Sequence, residues 1–292
     1  MTGMTGLDSP AGSLRRAVVA LDASAHSQAV LRATARMAAM LDLELVGVFV
    51  EDETLLRLAD LPVTWEVGAK TATVRQMDSR DVARQFRALS TQMQRSLASA
   101  ARQAGVPWRL HVARGDIVPE LLAVIEPTDL LGMGRMGWPL SRRPRLGSTT
   151  QAMLQRSPCP VFIPDKAPFD PPRPRSHIVA VWDGSDAGER GITLAVSLAG
   201  AVEAGLTLLL FAADGSAAQP HEEASGPLQE RAEAILDDLD TARIPGIDFQ
   251  MGLHTPAHLA GVLNSRGDGL IFLPQPWSSL ADELAGAVVV VV

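Results

Sequence analysis

The sequence predicts an α/β protein built as two tandem parallel-sheet domains. Three observations carry that expectation. Short apolar runs alternate with longer segments of helical spacing, which implies parallel strands joined by crossover helices. One opening, an apolar strand followed by an Asp-x-Ser turn and an amphipathic helix, occurs twice. And 292 residues suit two domains of ordinary size better than one.

Residues 1–14 lack the apolar core of a signal sequence and are expected to form a disordered lead. The first domain is expected over 15–165. It opens with AVVALDASAHSQAVLRATARMAAMLDLELVGVFVED from Ala17: a strand, the Asp22–Ser24 turn, a helix and a second strand ending at Phe49 and Val50. An insertion follows. Its apolar stretch LLRLADL is expected to pack on its own core, the alternative being a lid or partner surface. The pattern then predicts a helix over 79–104, a strand over 108–113, a helix over 118–125 and the strand Asp129–Met133. A last helix and the strand Val161–Ile163 close the domain. Residues 166–176, rich in proline, read as an extended, semi-rigid linker.

The second domain is expected over 177–292. It opens with IVAVWDGSDAGERG from Ile178, in which Asp183 matches Asp22 and Ser185 matches Ser24. A duplication at this separation marks repeated domains and not a solenoid. Helices are expected over 227–241, 257–263 and 278–284, and strands over 247–251, 270–273 and 288–292.

Composition narrows the function. Apolar residues make up 47% of the chain, enough for two buried cores. A net charge of −7 argues against nonspecific nucleic-acid binding. The single cysteine, Cys159, precludes an internal disulfide, and its apolar setting reads as an inert buried thiol. No run is long enough to span a bilayer. A cytoplasmic protein is expected.

The segment Gly134–Thr150, GRMGWPLSRRPRLGSTT, carries the chemistry. Three glycines are spaced G-x2-G-x9-G between a predicted strand and a predicted helix. Unpaired N–H groups at a helix start, reinforced by its dipole, favour an anion, and glycine permits close approach. This reads as a phosphate cradle. Turn geometry alone is the competing account of the glycines, and a solvated basic loop that of Arg135, Arg142, Arg143 and Arg145. No G-x4-G-K-[ST] sequence is present, so the loop is not a P-loop. The second domain has LPQPWSSLADELAG in its place, shorter and without the triad. The first copy is therefore expected to hold the ligand, and the second to be structural or regulatory.

In an open parallel sheet a ligand lies beyond the strand C-termini where strand order reverses. The Asp22 turn, the Phe49 end of strand two and Met133–Gly137 should meet there. Asp22 suits a ribose hydroxyl, a base or a divalent cation, and capping of the next helix is the alternative.

The strand VVALDASAHS, the glycine loop and the following QAMLQRSPCPVFIP together resemble the universal stress protein family in a tandem two-domain form. The resemblance spans the chain from Arg16, strongly in the first copy and weakly in the second. It implies, for each copy, a doubly wound, mainly five-stranded parallel sheet with helices on both faces. It further implies ATP or a related adenine nucleotide. Ala20, Leu21 and Asp22 would line it from strand one and Phe49 from strand two. Phe49 is bulkier than the small aliphatic residue common at that place. Met133, Gly134 and Gly137 would surround ribose and phosphates, and Gly147, Ser148 and Thr149 would bind phosphates. A Mg ion accompanying the nucleotide would fall near Asp22.

No catalytic residue is nominated. His254 and His258 are four apart, but Pro256 between them suggests a helix start and not a metal face. No nucleophile elbow or Cys–His pair is present. A regulatory nucleotide-binding protein with an unidentified protein partner is the leading reading. A slow metal-dependent ATP hydrolase and a nucleotide-free interaction scaffold are the alternatives. Finally, Val288–Val292 has no charge and no proline, and as an open edge it would aggregate. It is expected to pair antiparallel with Val161–Ile163, since the family's last strand joins dimers that way. One chain would then reproduce the dimer internally; pairing between chains, as a homodimer, is the alternative.

Overall fold

The computed structural model describes residues 14–22, 24–53, 65–67, 74–76, 79–136, 145–165, 177–211, 222–252, 256–265 and 269–292. The expected linker, the LLRLADL stretch, His254, Gly137, Arg142 and Arg143 lie outside them, as does all of the expected lead but Leu14.

The first half runs β1 (Arg16–Leu21), α1 (Ala25–Met40), β2 (Glu44–Asp52), β3 (Trp65–Val67), β4 (Val74–Gln76), α2 (Ser79–Ala104), β5 (Trp108–Gly115), α3 (Ile117–Val124) and β6 (Asp129–Gly132). It ends with β7 (Arg135–Met136), β8 (Arg145–Leu146), α4 (Ser148–Arg156) and β9 (Val161–Ile163). The second half runs β10 (His177–Trp182), α5 (Asp186–Val202), β11 (Gly205–Phe211), α6 (Glu222–Asp237), β12 (Ile247–Gly252), α7 (Pro256–Ser265) and β13 (Leu270–Pro274), then a 3₁₀ helix (Gln275–Asp282) and β14 (Ala287–Val291).

Ten strands form one sheet in the order β12-β11-β10-β13-β14-β9-β6-β1-β2-β5. Each half contributes five strands, parallel within the half. The continuous apolar runs of β1 and β11 follow from burial on both faces. One core layer packs α1, α2, α5 and α6 on the sheet, the other α3, α4, α7 and the 3₁₀ helix. Both layers run unbroken through the two halves.

Local chemistry starts both crossover helices. Ser24 caps α1 by accepting the Ser27 N–H at 3.1 Å, and Ser185 caps α5 by accepting the Gly188 N–H at 3.1 Å. At the opposite end of β1, Arg16 grips the fully buried Asp129 through Nε at 2.7 Å and Nη2 at 2.6 Å, tying β1 to β6. At the C-terminal end of β6, close packing against α1 needs Gly132, where an added Cβ would collide with the Thr34 hydroxyl.

The structure corrects the second half in two places. The expected helix 278–284 is a 3₁₀ helix that starts earlier, with Pro276 in its first turn. The expected helix 227–241 spans Glu222–Asp237, so Pro227 lies inside it, where it forfeits one backbone hydrogen bond. Asp240 turns the chain beyond it by accepting the Ala242 N–H at 3.3 Å. In the first half the β3–β4 hairpin was not foreseen.

The halves are joined by β14 against β9, antiparallel, with Val288 opposite Ile163, Val289 opposite Phe162 and Val290 opposite Val161. The expected pairing is thus made within one chain. A double variant, Ile163→Cys with Val288→Cys, should crosslink within single chains on oxidation, since opposed residues of an antiparallel pair have Cα atoms about 4.5–5.5 Å apart, within the span a disulfide bridges. Covalent dimers on a non-reducing gel, with no internally linked monomer, would contradict this register.

Candidate functional site

Strand order reverses between β1 and β6. From β1 the chain runs outward through β2 to β5, then crosses back to β6 and β9. The C-terminal ends of β1 and β6 therefore diverge into loops with a crevice between them. A cavity of about 280 Å³ opens there, just below the roughly 300–1,000 Å³ of ligand pockets. Its wall is made by the β1 end, the first turns of α1, the β6 end and the start of α4.

The structure brings together Ala20, Asp22, Met133, Gly134, Gly147, Ser148 and Thr149 of the predicted set. It does not bring Leu21 and Phe49 to the wall. Their side chains are 4% and 5% exposed and pack in the layer beneath α1 and α2. Strand alternation is the reason: Leu21 and Phe49 are register partners and share a face. Gly137 lies outside the described residues.

The exposed Asp22 is not the helix cap. Its Oδ1 accepts the Ser24 N–H at 2.8 Å, and its own N–H donates to Ser27 Oγ at 2.9 Å. This locks the turn and holds the carboxylate at the cavity edge. Across the cavity, α4 begins at Gly147, which has no side chain with which to cap the first N–H groups. Ser148 and Thr149 follow at the wall. The backbone of Gly147 is extended, φ −66° and ψ 158°, so any residue fits that conformation.

Several wall residues escaped the sequence reading. Thr150 Oγ1 donates to the Gly134 carbonyl at 2.8 Å, tying the two ends of the glycine segment together. His26, Ser27 and Val30 reach the wall from α1 and Ile117 from α3, while Arg135, already singled out in the basic loop, lines the loop entry and is 8% exposed, not solvated. Gly134 is tightly seated, since an added Cβ would stand 3.1 Å from Val30 Cγ2. The helical spacing of Ser27 and Val30 after Asp22 was the available signal. Nothing in the sequence marked Ile117, whose apolar side chain is 39% exposed.

In the second half the corresponding Asp is engaged by the protein itself. Asp183 Oδ1 accepts the Ser185 N–H at 3.1 Å, as Asp22 does for Ser24. Its other oxygen, Oδ2, accepts the Trp277 indole N–H at 2.9 Å. That indole stands edge-on to Phe211, with ring centroids 4.3 Å apart. Trp277 belongs to the segment that replaces the glycine loop, so the Asp that faces open space in one copy is covered in the other.

Cys159 is fully buried, with Ser157 Oγ at 3.3 Å from its sulfur. Burial pushes its thiol up to about 11 from an ordinary 9.0. The neutral thiol is the favoured form, so this contribution to stability is complete below about pH 9 and is lost as pH rises through about 11. Native protein at pH 8 should alkylate with iodoacetamide far more slowly than urea-unfolded protein. Equal rates, measured by mass spectrometry, would contradict the burial. Among the described residues there is no group of three or more His, Cys, Asp or Glu placed to hold a metal ion. No helix among them is long and apolar enough to cross a membrane.

Comparison with known proteins gives three results. The sequence model of the universal stress protein family matches residues 13–163. No protein of curated function matches the chain. Among solved structures, a universal stress protein from Archaeoglobus fulgidus DSM 4304 superposes with a TM-score of 0.66 at 16% identity, covering 96% of this chain and 97% of that one. A functionally unknown protein from Pseudomonas aeruginosa PAO1 superposes with a TM-score of 0.54 at 16% identity, covering 96% and 92%. Both likenesses extend over the two halves and concern the fold.

Proposed function

Because this chain belongs to the universal stress protein family, we propose that its first half binds ATP or a related adenine nucleotide as a regulatory ligand in stress response. The observation that carries this reading is the α4 N-terminus, opened by Gly147 into a cavity that Asp22 and Gly134 share. Four N–H groups at a helix start lack helical partners and attract phosphate. Gly147, Ser148 and Thr149 would take the phosphates. Asp22 would meet the ribose or a Mg ion travelling with the nucleotide. Met133, Val30 and Ile117 offer apolar surface to the sugar and base. The bound nucleotide brings negative charge to a helix start that would otherwise be solvated. The chain's own residues bind and orient it. The output we propose is a change in contacts with a protein partner, not catalytic turnover.

Calorimetric titration of the full chain with ATP should give one site per chain. The second half has Trp277 on Asp183 where the first half has its cavity. Two equivalent sites, or no binding, would overturn the reading. With ATP and Mg present, turnover should stay below about 1 s⁻¹, the low end for enzymes.

A further inference from the structure

The shortened loop of the second half docks on the stems of the first half's glycine loop. Entry and exit of that loop, Arg135 and Leu146, are cross-strand partners in the β7–β8 ladder. Both are held by one stretch of the second half. The Leu146 N–H donates to Asp282 Oδ1 at 2.6 Å. Arg135 Nη1 donates to the Ala281 carbonyl at 2.6 Å and Nη2 to the Gly286 carbonyl at 3.3 Å. Arg135 is only 8% exposed, and its Nε has no partner among the described residues. Burial lowers the pKa of its guanidinium, which nearby Asp165 and Asp282 partly offset.

We infer that the second half acts as a positioning brace for the anion site of the first half, with Asp282 fixing the backbone that leads into Gly147–Thr150. The inference rests on the nucleotide reading above and says what the second half does for it. Leu146 is followed at once by the cap of α4, so the direction of its N–H sets where the first N–H groups of the helix point. Thr150 returns that constraint to Gly134, on the other stem. A bond to a carboxylate is stronger than one between neutral groups, which suits a fixed loop root. Asp282 is a positioning residue: it is not in the cavity wall. The degenerate copy has thereby exchanged its own ligand loop for a support of its neighbour's.

The test uses the full chain, ATP as probe, and hydrogen exchange of the peptide 145–150 without nucleotide. Asp282→Ala should raise exchange there about tenfold and weaken ATP binding about tenfold, the size expected for losing one charge-assisted hydrogen bond. Asp282→Asn keeps an acceptor oxygen and should stay within about threefold of wild type in both readouts. Unchanged exchange in Asp282→Ala overturns the brace. Raised exchange with unchanged ATP affinity overturns its link to the site. Fast exchange of the Leu146 amide in wild type overturns it even if a variant fails to fold. If wild type does not bind ATP, the nucleotide reading fails, and the exchange comparison still decides the brace.

Discussion

Val290→Asp should abolish cooperative folding of the whole chain, both halves together. Val290 is fully buried on β14, opposite Val161 of β9 and beside Leu273 of β13. It sits in a core layer shared by the two halves. The substitution forfeits about 1.5–3 kcal/mol of apolar burial. It also buries a carboxylate among the apolar side chains of that layer, at several kcal/mol more. The sum approaches the about 5–15 kcal/mol that stabilises an ordinary domain. Urea denaturation followed by circular dichroism measures it, with Val112→Asp as control. Val112 is 44% exposed on the edge strand β5, so the control should change stability by about 0.5 kcal/mol or less. A cooperative Val290→Asp transition near that of wild type would show that the junction strand is dispensable.

Gly147→Val should leave the fold in place and weaken ATP binding by a factor of about 100 or more, roughly 2.7 kcal/mol. The two effects separate because the Gly147 backbone is extended, a conformation that valine adopts readily. Loss of binding would come from the branched side chain standing over the first N–H groups of α4 and excluding phosphate. Titration with ATP and a thermal melt give both numbers. Unchanged affinity would mean that the phosphates sit elsewhere. A collapsed melt would mean that valine cannot be accommodated at the buried helix start.

Much of this was legible in the chain alone, for local reasons. The β1, β9 and β13 runs announce themselves because strands covered on both faces must be apolar throughout. The Asp-x-Ser turns were readable because each serine caps the helix that follows it in sequence. The glycine loop was readable because its spacing and the helix after it are contiguous. That β14 needs a partner was foreseeable, since five consecutive valines cannot be left at an edge; that the partner is β9 was implied only by the family resemblance, and that it lies in the same chain only the structure decided.

What the sequence could not decide involves contacts between distant residues. Leu21 and Phe49 sit at strand ends next to the site, yet the pleat turns both into the core beneath α1 and α2. Phase within a strand is invisible until a neighbour fixes which face is which. Ile117 and Thr150 join the wall only because α3 and α4 come to rest beside β1 and β6. Trp277 reads as one more apolar residue until folding carries it 94 positions back along the chain to Asp183. The same holds for Asp282, 136 positions from the Leu146 it anchors. Sequence periodicity specifies elements and their order. The tertiary structure alone decided which Asp stays open and which is covered, because that depends on where a separate loop lands once both halves share one sheet.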